Sequence, residues 1–590
     1  MSIVNIATHL KNMAQQRPEQ RAILYPVSRD LDGRNLYLSD SYRELDQRSD
    51  FIATGLRAMG IGRGVRTVLM VPPSLEFFSL TFALFKVGAV PVLVDPGMGF
   101  RNLGRCLAEA EPEAFIGVTQ AHVARWILGW GKATLRKFVS LRTRRSRVVR
   151  INHRFMTLGD LVAYGSRSTL SEMPHDSKYE THPADRSTVS HAERRCSPIA
   201  ETNASDQAAI LFTSGSTGVP KGVVYSHGTF AQQIELLKDI FQITPGEIDL
   251  CTFPLFALFA PALGMTAVVP RMNFTRPAQV DPREVIRPVH EFGVTNLFGS
   301  PALLNTISRY PMRVGGESPN CSLPSVRRVI SAGAPVSADI LDRLQLMLAP
   351  GTQVYTPYGA TESLPVAVIS SREILEETRH QTAQGAGTCV GRPVAGTLVS
   401  IIHISDQPIA EWNDSLLLPE GEIGEIVVRG PQVTQEYFRR PDLTALAKIP
   451  DPVAGVSRHR MGDVGYFDPS GRLWFCGRKS QRVITAEGTY FTEPIEGIFN
   501  SHPRIFRTAL VGVRRAGKVR LALCVERESG YPLAAIEELT RELLELGARF
   551  RQTQAVRTIL YHDSFPVDVR HNSKIFREKL AVWAAKQLQS

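Results

Sequence analysis

Ten consecutive residues, Thr213-Ser214-Gly215-Ser216-Thr217-Gly218-Val219-Pro220-Lys221-Gly222, bring hydroxyls, glycines and one lysine together. Serine and threonine supply hydroxyl donors, and glycines let backbone N–H groups converge on an anion. Lys221 adds a point charge for a phosphate. The run follows Ala208-Ala209-Ile210-Leu211-Phe212, an apolar stretch that reads as a strand. A strand feeding such a loop is a place to hold a polyphosphate. The run is not the P-loop of NTPases, which needs Lys followed by Ser or Thr; here Gly222 follows Lys221. The competing reading is a plain surface turn.

Three further constellations could carry chemistry. Tyr358-Gly359-Ala360-Thr361-Glu362 offers an aromatic ring to stack on a base, a hydroxyl for a phosphate oxygen and a carboxylate for Mg²⁺. Met461-Gly462-Asp463-Val464-Gly465-Tyr466 places an aspartate between glycines, suited to accept both hydroxyls of a ribose, or to open a turn before a strand. Lys574 stands in Pro566-Val567-Asp568-Val569-Arg570-His571-Asn572-Ser573-Lys574. On composition alone it is a solvated surface lysine.

The elements that must position these residues alternate. A helix from Tyr42 to about Gly60, a strand at Val68–Val71, a helix over Glu76–Val87 and a strand at Val90–Val94 give a βαβ rhythm. The rhythm returns from 284 to 340. Residues 164–206, rich in Ser, Thr, His, Pro and charge, read as a long mobile loop. The last stretch carries a helix start at Thr492-Glu493-Pro494, strands at Arg507–Val513 and Val519–Val525, and a helical face of Ile536, Leu539, Leu543 and Leu546. The expected fold class is α/β. It has a large N-terminal domain of parallel-rich sheets with covering helices (1–476) and a small mobile α+β C-terminal lid (477–590) carrying Lys574.

Bulk properties bound the answer. The 590 residues suffice for more than one domain. Seven scattered cysteines with no CxxC pair argue against a disulfide framework or a zinc site and fit a reducing cytoplasm. The N-terminus lacks the pattern of a signal peptide. Cys251–Pro270 is uncharged, but three prolines interrupt it, so a buried irregular wall is expected rather than a membrane span. The formal charge of +11 is local: residues 125–154 hold ten Lys/Arg and no Asp/Glu, leaving 58 basic against 57 acidic residues elsewhere. Trp126, Leu128, Trp130, Leu135, Phe138 and Val139 lie near helical spacing there. A basic amphipathic helix would suit an anionic membrane surface or an acidic partner; a solvated basic face is the alternative. No recognition module for nucleic acid accompanies it.

Together the constellations resemble the adenylate-forming superfamily, which includes acyl-CoA synthetases, luciferases and peptide-synthetase adenylation domains. The resemblance spans nearly the whole chain, with the motifs in family order. It implies that Thr213, Ser214, Gly215, Ser216, Thr217, Gly218 and Lys221 form the phosphate loop, and that Gly333, Ala334 and Pro335 in Ser331–Pro335 flank adenine. It further implies that Tyr358 covers adenine, that Gly359 and Thr361 belong to the same nucleotide-binding motif, that Glu362 binds Mg²⁺, and that Asp463 and Arg478 take the ribose and phosphate. Lys574 is implied to swing in and bridge the acyl carboxylate and the α-phosphate, although Ser573 replaces the usual preceding glycine. Thr213, Glu362 and Lys574 are the implied catalytic residues. The implied reaction joins a carboxylate to AMP from MgATP and releases pyrophosphate.

Around Ala486–Pro494, Asn500–Pro503 and Phe565–Asn572 the sequence is most similar to the β-lactone synthetases of bacterial long-chain olefin biosynthesis. At the hinge position, three after Gly477, most members of the superfamily have Asp or Lys, and this chain has Ser480. The resemblance implies a 2-alkyl-3-hydroxy fatty acid whose own hydroxyl captures the acyl-adenylate, without CoA. It implies thiolase-like, reductase and lactone-decarboxylase pathway partners. Phe253, Phe256 and Phe259 occupy the position of the acyl pocket, or are plain core. A long-chain acyl-CoA ligase, and a non-catalytic fold that binds acyl ligands or partners at a membrane, are the alternatives.

Overall fold

The computed structural model describes residues 4–141, 153–171, 199–213, 220–253, 258–313, 321–515, 517–528, 536–567 and 575–589. Contacts gather the chain into two compact units: Met1–Arg271 with Glu436–Pro441, and Met272–Gln435 with Asp442–Ser590.

The first unit holds a seven-stranded sheet. Its order is Phe155–Thr157, Lys137–Ser140, Ala114–Gly117, Arg66–Met70, Val90–Val94, Gln207–Thr213 and Lys221–Ser226. All neighbours pair in parallel except the last two strands, which form an antiparallel hairpin. Parallel strands are covered on both faces, which is why they read as unbroken apolar runs. Val68, Val92, Phe115 and Ile210 pack with Leu103, Cys106 and Leu107 of the helix Phe100–Ala110. A second group in this unit pairs Arg21–Arg29 with Asn35–Ser41 and with Thr266–Val268, which also pairs with Ile248–Cys251.

The helix Tyr42–Ala58 begins as its sequence demands. Ser41 caps the backbone of Glu44, and the Glu44 side chain returns to the Ser41 N–H. Two expectations are corrected in this unit. Residues 164–171 are not loop: they belong to the helix Leu158–Ser171, which packs on Tyr42–Ala58 so closely that a Cβ at Gly165 would lie 2.1 Å from the Phe51 carbonyl oxygen. Residues 172–198 lie outside the described residues. The basic stretch is not one amphipathic helix either. The helix Thr119–Leu128 ends at Gly129 in the left-handed region, and Phe138 and Val139 lie on the strand Lys137–Ser140. Trp130 and Leu135 are buried in the core, whereas Trp126 is 79% exposed.

In the second unit Asn296–Phe298, Arg328–Ile330 and Gln353–Ala360 are parallel neighbours. Antiparallel strands continue the sheet: Ser363–Ser370, Thr388–Pro393, Leu473–Arg478, Val456–Phe467, Gly424–Arg429 and Leu398–Ile402. Residues from 505 onward add a three-stranded sheet, Ile505–Arg515, Lys518–Arg527 and Ile559–Tyr561. Helices Thr492–Asn500 and Ile536–Ala548 pack on it through Ile495, Phe499, Leu539 and Leu543. Thr492 is the first helical residue rather than the cap, which is Phe491. Among the described residues no helix is long and apolar enough to cross a membrane.

One buried histidine makes this fold sensitive to acid. His227 is fully buried, and its Nδ1 accepts the Ile6 N–H at 3.2 Å. Burial pushes its pKa down to about 4. Between the ordinary value near 6.5 and 4 the unfolded chain binds a proton that the folded one does not, so stability falls as pH falls through that window. Thermal melts from pH 7 to 4 should show a shallower loss of Tm for His227→Asn than for the parent. Parallel curves would remove His227 as a cause.

Candidate active site

Each unit contributes its own part of the expected nucleotide machinery. In the first, the hydroxyl- and glycine-rich run is the connection of the hairpin, with Thr213 directly opposite Lys221. The strand Gln207–Thr213 pairs in parallel with Val90–Val94, so the run leaves the carboxyl end of a parallel strand, the usual ligand side of such sheets. Ser214, Gly215, Ser216, Thr217 and Gly218 lie outside the described residues, as does the Thr213 side chain. Lys221 opens the second strand, its Nζ 5.1 Å from the centre of the Tyr437 ring. Tyr437 reaches it because residues 436–438 lie along this strand: Val224 N–H donates to Glu436 O at 3.3 Å, and Phe438 N–H donates to Gly222 O at 2.7 Å. Sequence inspection did not single out Tyr437, and its only signal there is an aromatic beside a basic run.

Of the three phenylalanines, Phe256 lies outside the described residues. Phe253 is half-buried. Phe259 packs edge-on against Phe230 at 6.1 Å, and Phe230 stacks on Tyr225 at 4.6 Å. This aromatic cluster is compatible with both a core and a pocket wall.

In the second unit, Tyr358-Gly359-Ala360-Thr361-Glu362 forms the end and turn of the hairpin Gln353–Ala360/Ser363–Ser370. Gly359 is required by close approach: a Cβ there would stand 2.5 Å from the Ser363 carbonyl oxygen. Ser331–Pro335 leaves the neighbouring strand Arg328–Ile330, with Ser331 N–H donating to Tyr355 O at 2.9 Å. Gly333 has φ 99°, the left-handed side of the map. Ser331 Oγ is fully buried, with no hydrogen-bond partner among the described residues. An orphaned buried hydroxyl in this loop fits a polar ligand.

Asp463 joins the two remaining motifs. It lies within the long strand Val456–Phe467 rather than in a turn, opposite Arg478 of Leu473–Arg478. Tyr358 donates its phenol to Asp463 Oδ2 at 2.7 Å, and Arg478 Nη1 stands 2.9 Å from Oδ1. Burial, then the Asp463 charge, pushes the Tyr358 phenol well above the usual tyrosine range, so it remains a donor. The Tyr358 ring lies 6.1 Å from that of Phe475. Beside this clamp, fully buried Glu425 binds both Arg460 (2.7 Å) and Lys479 (2.9 Å), tying the strand of Asp463 to the residue after Arg478.

Glu362 is half-buried on its turn. Thr434 holds its carbonyl oxygen by N–H at 2.9 Å and by Oγ1 at 3.1 Å. Lys448 Nζ in turn donates to the Thr434 carbonyl. Burial pulls the Lys448 pKa down to about 7, and the Glu362 charge pulls it partly back. Among the described residues no group of three or more His, Cys, Asp or Glu could hold a metal. A lone carboxylate fits Mg²⁺, which takes its other ligands from substrate phosphates and water. Lys574 lies outside the described residues.

A model of the family described as "AMP-binding enzyme" matches residues 10–438. The chain belongs to the AMP-binding enzyme family. The olefin β-lactone synthetase of Xanthomonas campestris pv. campestris is 48% identical, covering 99% of this chain and 98% of that protein. The enzyme of the same name from Stenotrophomonas maltophilia is 49% identical, covering 99% of each. Among solved structures, the amide bond synthetase McbA from Marinactinospora thermotolerans matches with a TM-score of 0.72 at 20% identity, over 98% of this chain and 99% of that one. The o-succinylbenzoate coenzyme A synthetase of Bacillus subtilis, solved in complex with ATP and magnesium ion, matches with a TM-score of 0.68 at 18% identity, over 97% and 98%. The fold is that of adenylate-forming enzymes: mixed α/β, with a large sheet-rich N-terminal domain and a smaller C-terminal one.

The clamp on Asp463 yields a direct test. Tyr358→Phe removes one charge-assisted hydrogen bond, so apparent ATP affinity should fall about tenfold, the equivalent of ~1.5 kcal/mol. Titration with ATP in a pyrophosphate-exchange assay measures it. An unchanged half-saturation would show that the phenol does not orient Asp463.

Proposed function

We propose that this AMP-forming ligase adenylates a 2-alkyl-3-hydroxy fatty acid and then closes it to a β-lactone. The observation that carries the reading is identity near one half, over almost the full length, to two olefin β-lactone synthetases. The intact set of Lys221, Glu362, Asp463, Arg478 and Lys574 supports it.

In the first step a carboxylate oxygen of the acid attacks the α-phosphorus of ATP and pyrophosphate leaves. The run from Thr213 to Gly218 and Lys221 would take the phosphates, and Asp463, held by Tyr358 and Arg478, the ribose. Gly333, Ala334 and Pro335 would flank adenine, with Tyr358 and Gly359 on its other side, and Thr361 would meet a phosphate oxygen. Glu362 would hold Mg²⁺, which supplies charge stabilisation for the departing pyrophosphate. Lys574 would stabilise charge developing between carboxylate and α-phosphate. In the second step the β-hydroxyl oxygen bonds to the acyl carbon, the acyl–phosphate C–O bond breaks, AMP leaves and the hydroxyl proton passes to solvent. The nucleophile arrives tethered, so no thiol site is needed. Ser480 at the hinge is compatible with that economy.

On this reading residues 477–590 act as the lid that delivers Lys574, and Phe253, Phe256 and Phe259 line an apolar acyl pocket. Thiolase-like, reductase and lactone-decarboxylase enzymes would supply the acid and consume the lactone. The basic stretch 125–154, with exposed Trp126, would meet an anionic membrane surface. Salt-sensitive binding to phosphatidylserine vesicles, weakened by Trp126→Ala, is expected; equal binding by both proteins removes this role.

The decisive incubation holds ATP, Mg²⁺ and a 2-alkyl-3-hydroxy acid without CoA. A β-lactone and AMP are expected in equal amounts, with Lys574→Ala slower by about 10²–10³ in pyrophosphate exchange. Product only after CoA is added, as a thioester, would reject lactone formation.

A further inference from the structure

Lysines are almost never fully buried unless paired, because an unpartnered ammonium pays heavily for leaving water. Lys448 is 4% exposed, and the carboxylate whose charge bears on it is Glu362. Its backbone begins the strand Lys448–Asp451, which pairs with Val456–Phe467, the strand that carries Asp463. Its Nζ reaches away from that pair to the Thr434 carbonyl, with Thr434 Oγ1 at 3.5 Å. Thr434 then grips the Glu362 carbonyl from two donors. The order is therefore Asp463 strand, Lys448, Thr434, Glu362.

We infer that Lys448 and Thr434 are positioning residues: a buried strut that fixes the turn of Glu362 so that its carboxylate meets Mg²⁺ in one orientation. The physical need is plain. Glu362 sits at a tight hairpin turn, where the ladder provides no bond for its carbonyl between Ala360 and Ser363. Two hydrogen bonds on that carbonyl remove most of the freedom that would let the side chain wander. The ammonium fixes Thr434 from behind. Lys448 and Thr434 act through the Glu362 backbone, so their effect must appear in metal affinity.

This inference rests on Glu362 as the Mg²⁺ carboxylate. Its test measures Mn²⁺ binding in the presence of ATP and the absence of acid, by loss of the free-ion EPR signal. The half-saturating Mg²⁺ for pyrophosphate exchange is measured alongside. Lys448→Met and Thr434→Val should each weaken Mn²⁺ binding and raise half-saturating Mg²⁺ by about tenfold or more, the usual cost of losing a group that orients a metal ligand. Thr434→Ser, which keeps the hydroxyl, should match the parent, and KM for the fatty acid should not move in any of them. Should Lys448→Met fail to fold, Thr434→Val alone decides. Unchanged metal binding in Thr434→Val, with binding lost in Glu362→Gln, overturns the strut. Unchanged binding in Glu362→Gln overturns the metal assignment itself, and the strut's role with it.

Discussion

A carboxylate that is 3% exposed must be compensated, and Asp463 accepts a hydrogen bond from Tyr358 and pairs with the Arg478 charge. Its position in the long strand Val456–Phe467 fixes its backbone. Tyr358 arrives from the hairpin of Gln353–Ala360, and Arg478 from the adjacent strand in register. Three strands thus converge on one side chain. A hydrogen bond joins two motifs more than a hundred residues apart in sequence, and an ion pair adds Arg478. The rest of the second unit's chemistry follows from that convergence. Arg478 is the last residue of its strand, and Lys479 after it is anchored on buried Glu425. Gly477, at φ 122°, sits where the register of its strand shifts, and a Cβ there would press on Thr492 Oγ1.

Buried charge recurs around this clamp for a reason. Glu425 with Arg460 and Lys479, and Lys448 behind Thr434, are costly groups to remove from water. Apolar residues of the same size would pack as well and leave orientation loose. Charged partners specify direction, which a reaction at one phosphorus atom requires. The first unit is built differently. There a parallel sheet runs into the hairpin Gln207–Thr213/Lys221–Ser226.

Much of this was legible in the sequence because it is local. The strand before Thr213, the capped helix after Ser41 and the strand pair Ile505–Arg515/Lys518–Arg527 follow from periodicity and turn chemistry. What escaped depends on distant contacts or on punctuation inside a segment. Thr434 and Lys448 carry no signal of their own and Tyr437 only a weak one; each acquires a role from the side chain or carbonyl it meets in the fold. Asp463 stood out between its glycines, but its place inside a strand did not, because strand pairing overrides the turn preference of that sequence. Gly129 and Gly131, both left-handed, break the apparent helical spacing of Trp126 to Val139. The helix Leu158–Ser171 was hidden because the polar stretch after it dominates the composition, while Leu158 and Leu161 are buried.

In the proposed reaction the acid is activated at the α-phosphorus and then captured by its own hydroxyl. The direct measurement gives the enzyme ATP, Mg²⁺ and a 2-alkyl-3-hydroxy acid carrying heavy oxygen in both carboxyl positions, and weighs the products. The account predicts one heavy oxygen in AMP and one in the lactone carbonyl, with the ring oxygen light. Unlabelled AMP, or heavy oxygen in the ring, would contradict it.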